Sequence, residues 1–423
     1  MEEGIEVIFD GFFGYMKRNF CAEKIPLSDI AGKYGTPCYV YSRNSLLSRI
    51  GKFKKAFGSV NSLICYSVKA NSNMALLEIM RKNGFGADVV SGGELHRALL
   101  AGFNPGEIVF AGVGKREDEI ALGVRKGIYC FNIENEEEPS IIETYGKKYR
   151  RKVLCNIRLN LDIEVDTHHY VKTSKKETKF GLDVHKAAEV IRKNRKNGYV
   201  DIRGFHLHLG SQLKHVNPYL EALDKVEDFC RGIGFTPEII DIGGGFGIAY
   251  SPSDTVEDIG DFGGKITGKI RKMGVSKLIL EPGRYMVGNT AVLLTRVLYV
   301  KKRQDKNFVI VDAGMNDLIR PAFYGSHHAI LPVKENSNPA GMMKADVVGP
   351  ICETGDYLGR DIEIPGSVKG GDLIAVASAG AYCFSMSSNY NSRPRPCEIM
   401  VDGRKSVVIR KRESCSDLWR GEM

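Results

Sequence analysis

No C-x-x-C pair occurs among the ten cysteines of this chain, and none is spaced with histidine as zinc ligands are. The common structural zinc sites and a thioredoxin-like redox motif are thereby excluded, and no metal is expected. Neither the dinucleotide fingerprint G-x-G-x-x-G nor the Walker pattern is present in the glycine-rich stretches, which argues against a dinucleotide or NTP site. No run approaches the length of an apolar membrane span, and no segment is of low complexity. The start, Met1-Glu2-Glu3-Gly4, is acidic and lacks a signal-peptide pattern, so the expectation is a cytoplasmic protein without a membrane partner. The net charge of +9 is scattered in short pieces such as Arg150-Arg151-Lys152 and Lys301-Lys302-Arg303, with no aromatic interleaving. Such pieces read as solvated faces rather than a nucleic-acid surface, and they add a mild attraction for phosphate or carboxylate ligands.

What is present is an ordinary globular composition, 43% apolar and 26% charged over 423 residues, enough for two or three domains. Residues 1–43 hold short strand-like pieces and a brief helix, Leu27–Tyr34, between Pro26 and Gly35. From 44 to 288 a short apolar strand is followed by a helix, again and again. Eight strands are expected: Leu63–Val68, Ala87–Ser91, Ile108–Ala111, Tyr129–Ile133, Val153–Leu159, Ile202–Leu209, Ile239–Ile242 and Leu278–Glu281. Helical segments between them, such as Met74–Lys82 and Tyr219–Ile233, are followed by glycine, as helix C-termini often are. Eight such units point to an α/β fold, a closed (β/α)8 TIM-like barrel. Residues 289–423 alternate or run apolar between turns and read as a β-rich C-terminal domain, which also takes in the N-terminal segment. Cys65, Cys130 and Cys155 lie inside the barrel's apolar runs and read as small buried hydrophobes kept reduced.

Such a barrel keeps its chemistry at the C-terminal ends of its strands. The unusual residues fall there: Lys69, Asp88, Ser91, His208 to Gln212, Gly243-Gly244-Gly245, and Glu281 to Arg284. A lysine after a buried strand sits where desolvation lowers its pKa and makes its amine a nucleophile toward carbonyls. The triple glycine lets backbone N–H groups approach a phosphate, or is simply a tight turn. His206 and His208 alternate on one strand face, as metal ligands, as satisfied core histidines or as a surface stacked on a flat ring. No third metal ligand has suitable spacing near them. Glu281 and Arg284 read either as a structural ion pair or as partners of a protonated ring nitrogen and an anion. Cys352, set among polar and turn residues, reads as a proton donor or nucleophile as readily as a small core residue.

Together these motifs resemble the fold-type III pyridoxal-phosphate decarboxylases, and among them the diaminopimelate decarboxylases. The carrying stretches are YSVKAN (66–71), GADVVSGGEL (86–95), VDTHHYVKT (165–173) with KFGL (179–182), HLHLGSQ (206–212), DIGGGFG (241–247), EPGRYMV (281–287), CETGD (352–356) and GAYCFSMSSNYNSRPRP (380–396). The resemblance implies pyridoxal 5'-phosphate held by Lys69, with His208 against its ring and Glu281 on the pyridine nitrogen. It implies that Ser211, Gly243, Gly244, Gly245 and Tyr382 bind the phosphate, with Asp88, Gly283 and Arg284 completing the cofactor set. It places Arg284, Arg320 and Tyr324 on substrate carboxylates and Glu353 on the distal amine, counts Tyr382 among the substrate-binding residues, and makes Cys352 the proton donor. It further implies a homodimer in which Cys352 and Glu353 enter the partner's site. The expected reaction is decarboxylation of meso-2,6-diaminopimelate to L-lysine, the last step of lysine biosynthesis. A decarboxylase of a basic amino acid or carboxylated polyamine, a racemase and a non-catalytic cofactor carrier are the rival readings. Arg320, CETGD and Glu281 speak against them. One departure lies at 165–175, where Thr167 to Lys172 replace an expected Pro- or Gly-rich element, and residues 335–341 read as a surface insertion.

Overall fold

The structure, a computed structural model, describes residues 2–163, 178–335 and 341–422. The departure at 167–172 and most of the insertion at 335–341 lie outside the described residues. The chain forms two compact units, one of residues 50–247 and 256–285, the other of 1–49, 248–255 and 286–423. Residues 44–49, 248–255 and 286–288, expected with the barrel, therefore group with the β-rich unit. Arg49 pairs there with Asp10 at 3.1 Å, and Asn289 donates to the Ala249 carbonyl at 3.0 Å.

The first unit is a closed barrel of eight parallel strands. They are β1 (Ser62–Ser67), β2 (Gly86–Val89), β3 (Ile108–Phe110), β4 (Cys130–Ile133), β5 (Val153–Arg158), β6 (Val200–His206), β7 (Ile239–Asp241) and β8 (Lys277–Leu280). Closure comes from β8 pairing with β1, with Leu278 opposite Ser62. Cys65, Val109, Cys130, Ile239 and Ile279, from β1, β3, β4, β7 and β8, form one buried apolar cluster. Burying each isoleucine contributes roughly 1.5–3 kcal/mol. Gly204 is required where β6 meets β7, since a Cβ there would lie 1.9 Å from the Ile239 carbonyl oxygen.

Seven of the eight strands end earlier than expected, five of them by a single residue, and three of these ends bear on the site. Val68 leaves β1 for a single 3-10 turn, Val68–Ala70. β2 stops at Val89 because Ser91 caps the helix Gly92–Leu100, its Oγ accepting from the Glu94 N–H at 3.2 Å. β6 stops at His206, so His208 stands in the following turn rather than on the strand. The helix Met74–Lys82 has the expected ends, capped by Asn73 and burying Leu76, Leu77 and Met80. The helices Arg43–Phe57 and Glu138–Tyr149 were not anticipated, and neither was Glu2–Phe9 among the strand-like pieces of the N-terminal segment.

In the second unit a nine-stranded sheet runs Tyr357–Pro365, Met342–Val348, Asn307–Val311, Ala291–Lys302, Cys38–Ser42, Cys397–Asp402 and Lys405–Arg410, with Leu373–Val376 and Ile330–Pro332 paired beside it. The N-terminal strand Cys38–Ser42 is thus interior to the sheet, antiparallel to Ala291–Lys302 and parallel to Cys397–Asp402. Its apolar side joins Phe9, Phe13, Phe20, Leu27, Val292, Ile399 and others in the unit's core. Among the described residues no helix is long and apolar enough to cross a membrane.

Candidate active site

The C-terminal mouth of the barrel collects the sequence-flagged groups of this unit. The 3-10 turn after β1 carries Lys69, whose Nζ lies 3.1 Å from Asp88 Oδ2 at the end of β2. Ser67 Oγ donates to the same oxygen. Asp88 is fully buried, and its Oδ1 has no hydrogen-bond partner among the described residues. Burial and the nearby Glu281 charge push its carboxyl up, against the pull of Lys69 and Ser67. The Pro282 carbonyl, in the turn after β8, accepts from the Ser67 N–H at 3.2 Å and ties that turn to the end of β1.

Glu281 and Asp241 stand side by side at the ends of β8 and β7. Glu281 Oε2 lies 3.3 Å from His206 Nε2, and Asn132 Nδ2 reaches Glu281 Oε1 at 3.3 Å and Asp241 Oδ2 at 3.2 Å. Asp241 Oδ1 accepts from the Gly243 N–H at 2.9 Å. Both carboxyls are buried. For Asp241, burial and the Glu281 charge push the carboxyl well above the usual range. For Glu281, burial is outweighed by His206 and Lys69, which hold it well below that range. The shared proton therefore stays on Asp241 and the charge on Glu281. His206, Asp241 and Glu281 also bring one ligand atom each within 4.8 Å, so the third polar group missing from local spacing comes from other strands. The hydrogen bonds among these residues and Asn132 account for that cluster without a cation.

His208 lies beside His206, ring centroids 6.5 Å apart and planes 24° from parallel. Its Nδ1 accepts from the Gly244 N–H at 3.3 Å, which puts its proton on Nε2. Burial, then the Arg158 and Lys69 charges, push its pKa well down, so the ring facing the mouth is neutral. The three glycines are dictated by close approach. A Cβ at 243, 244 or 245 would sit 2.4, 2.3 or 2.5 Å from the carbonyl oxygens of Leu207, Glu281 or Gly210, and φ is +67° at Gly243 and +103° at Gly245. Tyr219 braces the turn by donating to the Gly244 carbonyl at 2.7 Å, its ring stacked on Phe246. The Gly243 and Gly244 N–H groups serve Asp241 and His208, whereas the Gly245 N–H meets no acceptor among the described residues. Beyond the buried Gly283, Arg284 donates through Nη2 and Nε to Ser211 Oγ at 2.9 and 3.3 Å.

Pyridoxal phosphate fits this donor set. An amine stands beside a buried carboxyl with an orphaned oxygen, a flat neutral imidazole faces the mouth, and an ionised carboxylate lies at depth. A glycine cradle that any Cβ would fill sits with a serine and an arginine. Sequence reasoning gave no role to Asn132, Asp241 or the buried pair Arg158–Glu134, with Nη1 2.9 Å from both carboxylate oxygens. Arg158 closes β5 and its guanidinium lies 4.6 Å from the Phe180 ring. A basic residue at a barrel-strand terminus was the available signal.

The β-rich unit holds the remaining residues. Arg320 is buried, donating to Tyr250 Oη and His328 Nε2, each at 2.8 Å, and to Ser326 Oγ at 3.3 Å. Tyr324 packs edge-on against Phe323, ring centroids 4.7 Å apart. Cys352 and Glu353 are exposed in a tight turn. Asp356 pins that turn by accepting from the Ile351 and Met315 N–H groups at 2.7 and 2.6 Å, and the Cys352 N–H donates to Asn391 Oδ1 at 2.7 Å. Tyr382 holds φ +57°, and Ser378, Asn391 and Ser392 nearby in sequence are also left-handed. Such strain in non-glycine residues collects at ligand-binding loops.

A family model for the pyridoxal-dependent decarboxylase pyridoxal binding domain matches residues 43–288. The diaminopimelate decarboxylase of Aquifex aeolicus is 41% identical over 412 residues, 96% of each chain. Among solved structures, diaminopimelate decarboxylase from Helicobacter pylori, complexed with L-lysine, is 38% identical with TM-score 0.87, covering 94% of this chain and 99% of that one. The enzyme from M. jannaschii, also in complex with L-lysine, is 33% identical with TM-score 0.92, covering 98% of each. With the barrel, the lysine after its first strand and the glycine cradle all in place, the chain belongs to the pyridoxal-dependent decarboxylases, in the diaminopimelate decarboxylase family.

Proposed function

We propose that this chain decarboxylates meso-2,6-diaminopimelate to L-lysine and carbon dioxide, the last step of lysine biosynthesis, in the cytoplasm and with pyridoxal 5'-phosphate. The observation that carries the chemistry is the buried, ionised Glu281 in the same barrel mouth as Lys69. The substrate is supported by the relatives above, two of which were solved with L-lysine. Bound pyridoxal phosphate supplies an electron sink for the carbon that loses carbon dioxide.

Lys69 Nζ holds the cofactor, and Glu281 keeps a proton on the pyridine nitrogen. His208 offers its neutral ring as a stacking surface. Ser211, Gly245 and Arg284 take the phosphate, Gly243 and Gly244 shaping the turn, with Tyr382 joining them. Asp88 positions Lys69, and Gly283 lets the chain turn before Arg284. Arg284, Arg320 and Tyr324 read substrate carboxylates, and Glu353 the distal amine. Arg320 reaches that role by exchanging Ser326 or Tyr250 for the carboxylate. Cys352 Sγ delivers a proton to the carbon after carbon dioxide departs.

Carbon dioxide release with a panel of meso-diaminopimelate, L-lysine, L-ornithine, L-arginine and carboxynorspermidine tests the substrate. Release from meso-diaminopimelate alone is expected, with lysine as product. Release from another member would move the specificity to the rival decarboxylases.

Cys352 and Glu353 are exposed in the single chain, which suits side chains offered to a second copy. In the proposed homodimer they complete the partner's site. Cys352→Ala then keeps the cofactor's absorbance but loses about a hundredfold or more in kcat. Mixing inactive Lys69→Ala and Cys352→Ala chains through unfolding and refolding should restore about a quarter of wild-type activity, since half the dimers carry one intact site of two. Activity no higher than the parents' would show that each chain completes its own site.

A further inference from the structure

Two of the ten cysteines meet across the sheet of the β-rich unit, although 358 residues of chain separate them. Cys38 opens Cys38–Ser42, Cys397 opens Cys397–Asp402, and the two are register partners in a parallel pair. Register partners on neighbouring strands stand about 4.8 Å apart at Cα, inside the range a disulfide spans, and share one face of the sheet. Both thiols are free, 0% and 4% exposed, and belong to the same core cluster. A pair of small apolar residues would serve that core equally well, but a cation is aimed at this one. Arg412 Nη2 lies 3.5 Å from Cys397 Sγ and 3.3 Å from the Tyr34 carbonyl oxygen, and Cys397 Sγ lies 3.9 Å from that same oxygen. We propose that Cys38 and Cys397 form a reactive dithiol, activated by Arg412, which hydroperoxides convert reversibly to a disulfide.

The electrostatics agree with that assignment. The Cys38 S–H donates toward Cys397, and with the Arg412 charge it brings the Cys397 thiol down to about 7 against the effect of burial. Cys38 moves up, raised first by that same hydrogen bond and then by burial, with Asp312 adding to the rise. The pair thus has an attacking thiolate and a neutral resolving thiol. The Cys397 thiolate attacks the O–O bond of the hydroperoxide and takes one oxygen as a sulfenic acid. The other oxygen leaves and picks up a proton as water or alcohol. Cys38 sulfur then attacks the Cys397 sulfur, the S–S bond forms, the S–O bond breaks, and water departs with the Cys38 proton. The two thiols lose two electrons, which the hydroperoxide gains.

The test uses reduced wild-type protein with its cofactor bound, exposed to hydrogen peroxide, then denatured, alkylated and mapped by mass spectrometry. The expected product joins the peptides of Cys38 and Cys397, lighter by two hydrogens and separated again by dithiothreitol. Arg412→Met should slow its formation about tenfold, in line with the lost thiolate. Recovery of both cysteines as alkylated thiols, while the exposed Cys352 and Cys415 oxidise, would overturn the proposal. So would a cross-link that forms at the same rate in Arg412→Met. The wild-type map decides the matter even where the variant fails to fold.

Discussion

Lys69→Ala abolishes turnover and the visible absorbance of bound pyridoxal phosphate, with kcat falling on the order of 10⁴-fold or more. The size follows from the chemistry of the position. Lys69 brings the only lysine amine on the turn between β1 and the helix Met74–Lys82, and its Nζ is already held 3.1 Å from Asp88. Alanine offers no nucleophile, and no neighbouring side chain replaces the amine. The variant should still fold. Asp88 loses a cation but keeps Ser67 Oγ, and burial already pushes its carboxyl toward the protonated form, which tolerates the loss. Absorbance, activity and a thermal melt are measured together. An unchanged melt with no absorbance assigns the loss to the missing amine. Retained absorbance with activity within a hundredfold of wild type would remove Lys69 from the proposed role.

The barrel was legible because its signal is local. Each strand is a short apolar run ended by glycine, serine or a charged residue, and β1 to β8 recur at the expected positions within a few residues. The helix Arg43–Phe57 was not anticipated, though Leu46, Ile50, Phe53 and Phe57 recur at helical spacing and are all buried. Lys69, His208, Gly243–Gly245, Glu281 and Arg284 were legible for a second local reason, since each interrupts an apolar pattern at a strand end. Asn132 carries no such mark. Its amide bridges Asp241 and Glu281, which stand 109 and 149 residues further along the chain. Barrel closure makes that contact, and sequence spacing does not encode it. The Arg158–Glu134 pair and the meeting of Cys38 with Cys397 were hidden in the same way, by register between strands distant in sequence.

Glu281→Gln is expected to lower kcat by about 10²–10³-fold with little change in KM or in bound cofactor. The amide is nearly isosteric, so it can still meet His206 Nε2 and Asn132 at the 3.3 Å positions of the carboxylate. What it removes is a negative charge in a fully buried place, where charge is worth far more than in water. Glu281 is charged because Asp241 is not. Burial and mutual repulsion leave one proton for the two carboxyls, and His206 and Lys69 decide that Glu281 goes without it. Asp241→Asn is the matching control, since it replaces a neutral hydrogen-bonding group with another and leaves the charge of Glu281 in place. Its cost in kcat should be far smaller than that of Glu281→Gln. Equal losses in the two variants would mean that packing of the pair matters and its charge does not. A Glu281→Gln enzyme within tenfold of wild type would show that the proton on the pyridine nitrogen is held by some other means.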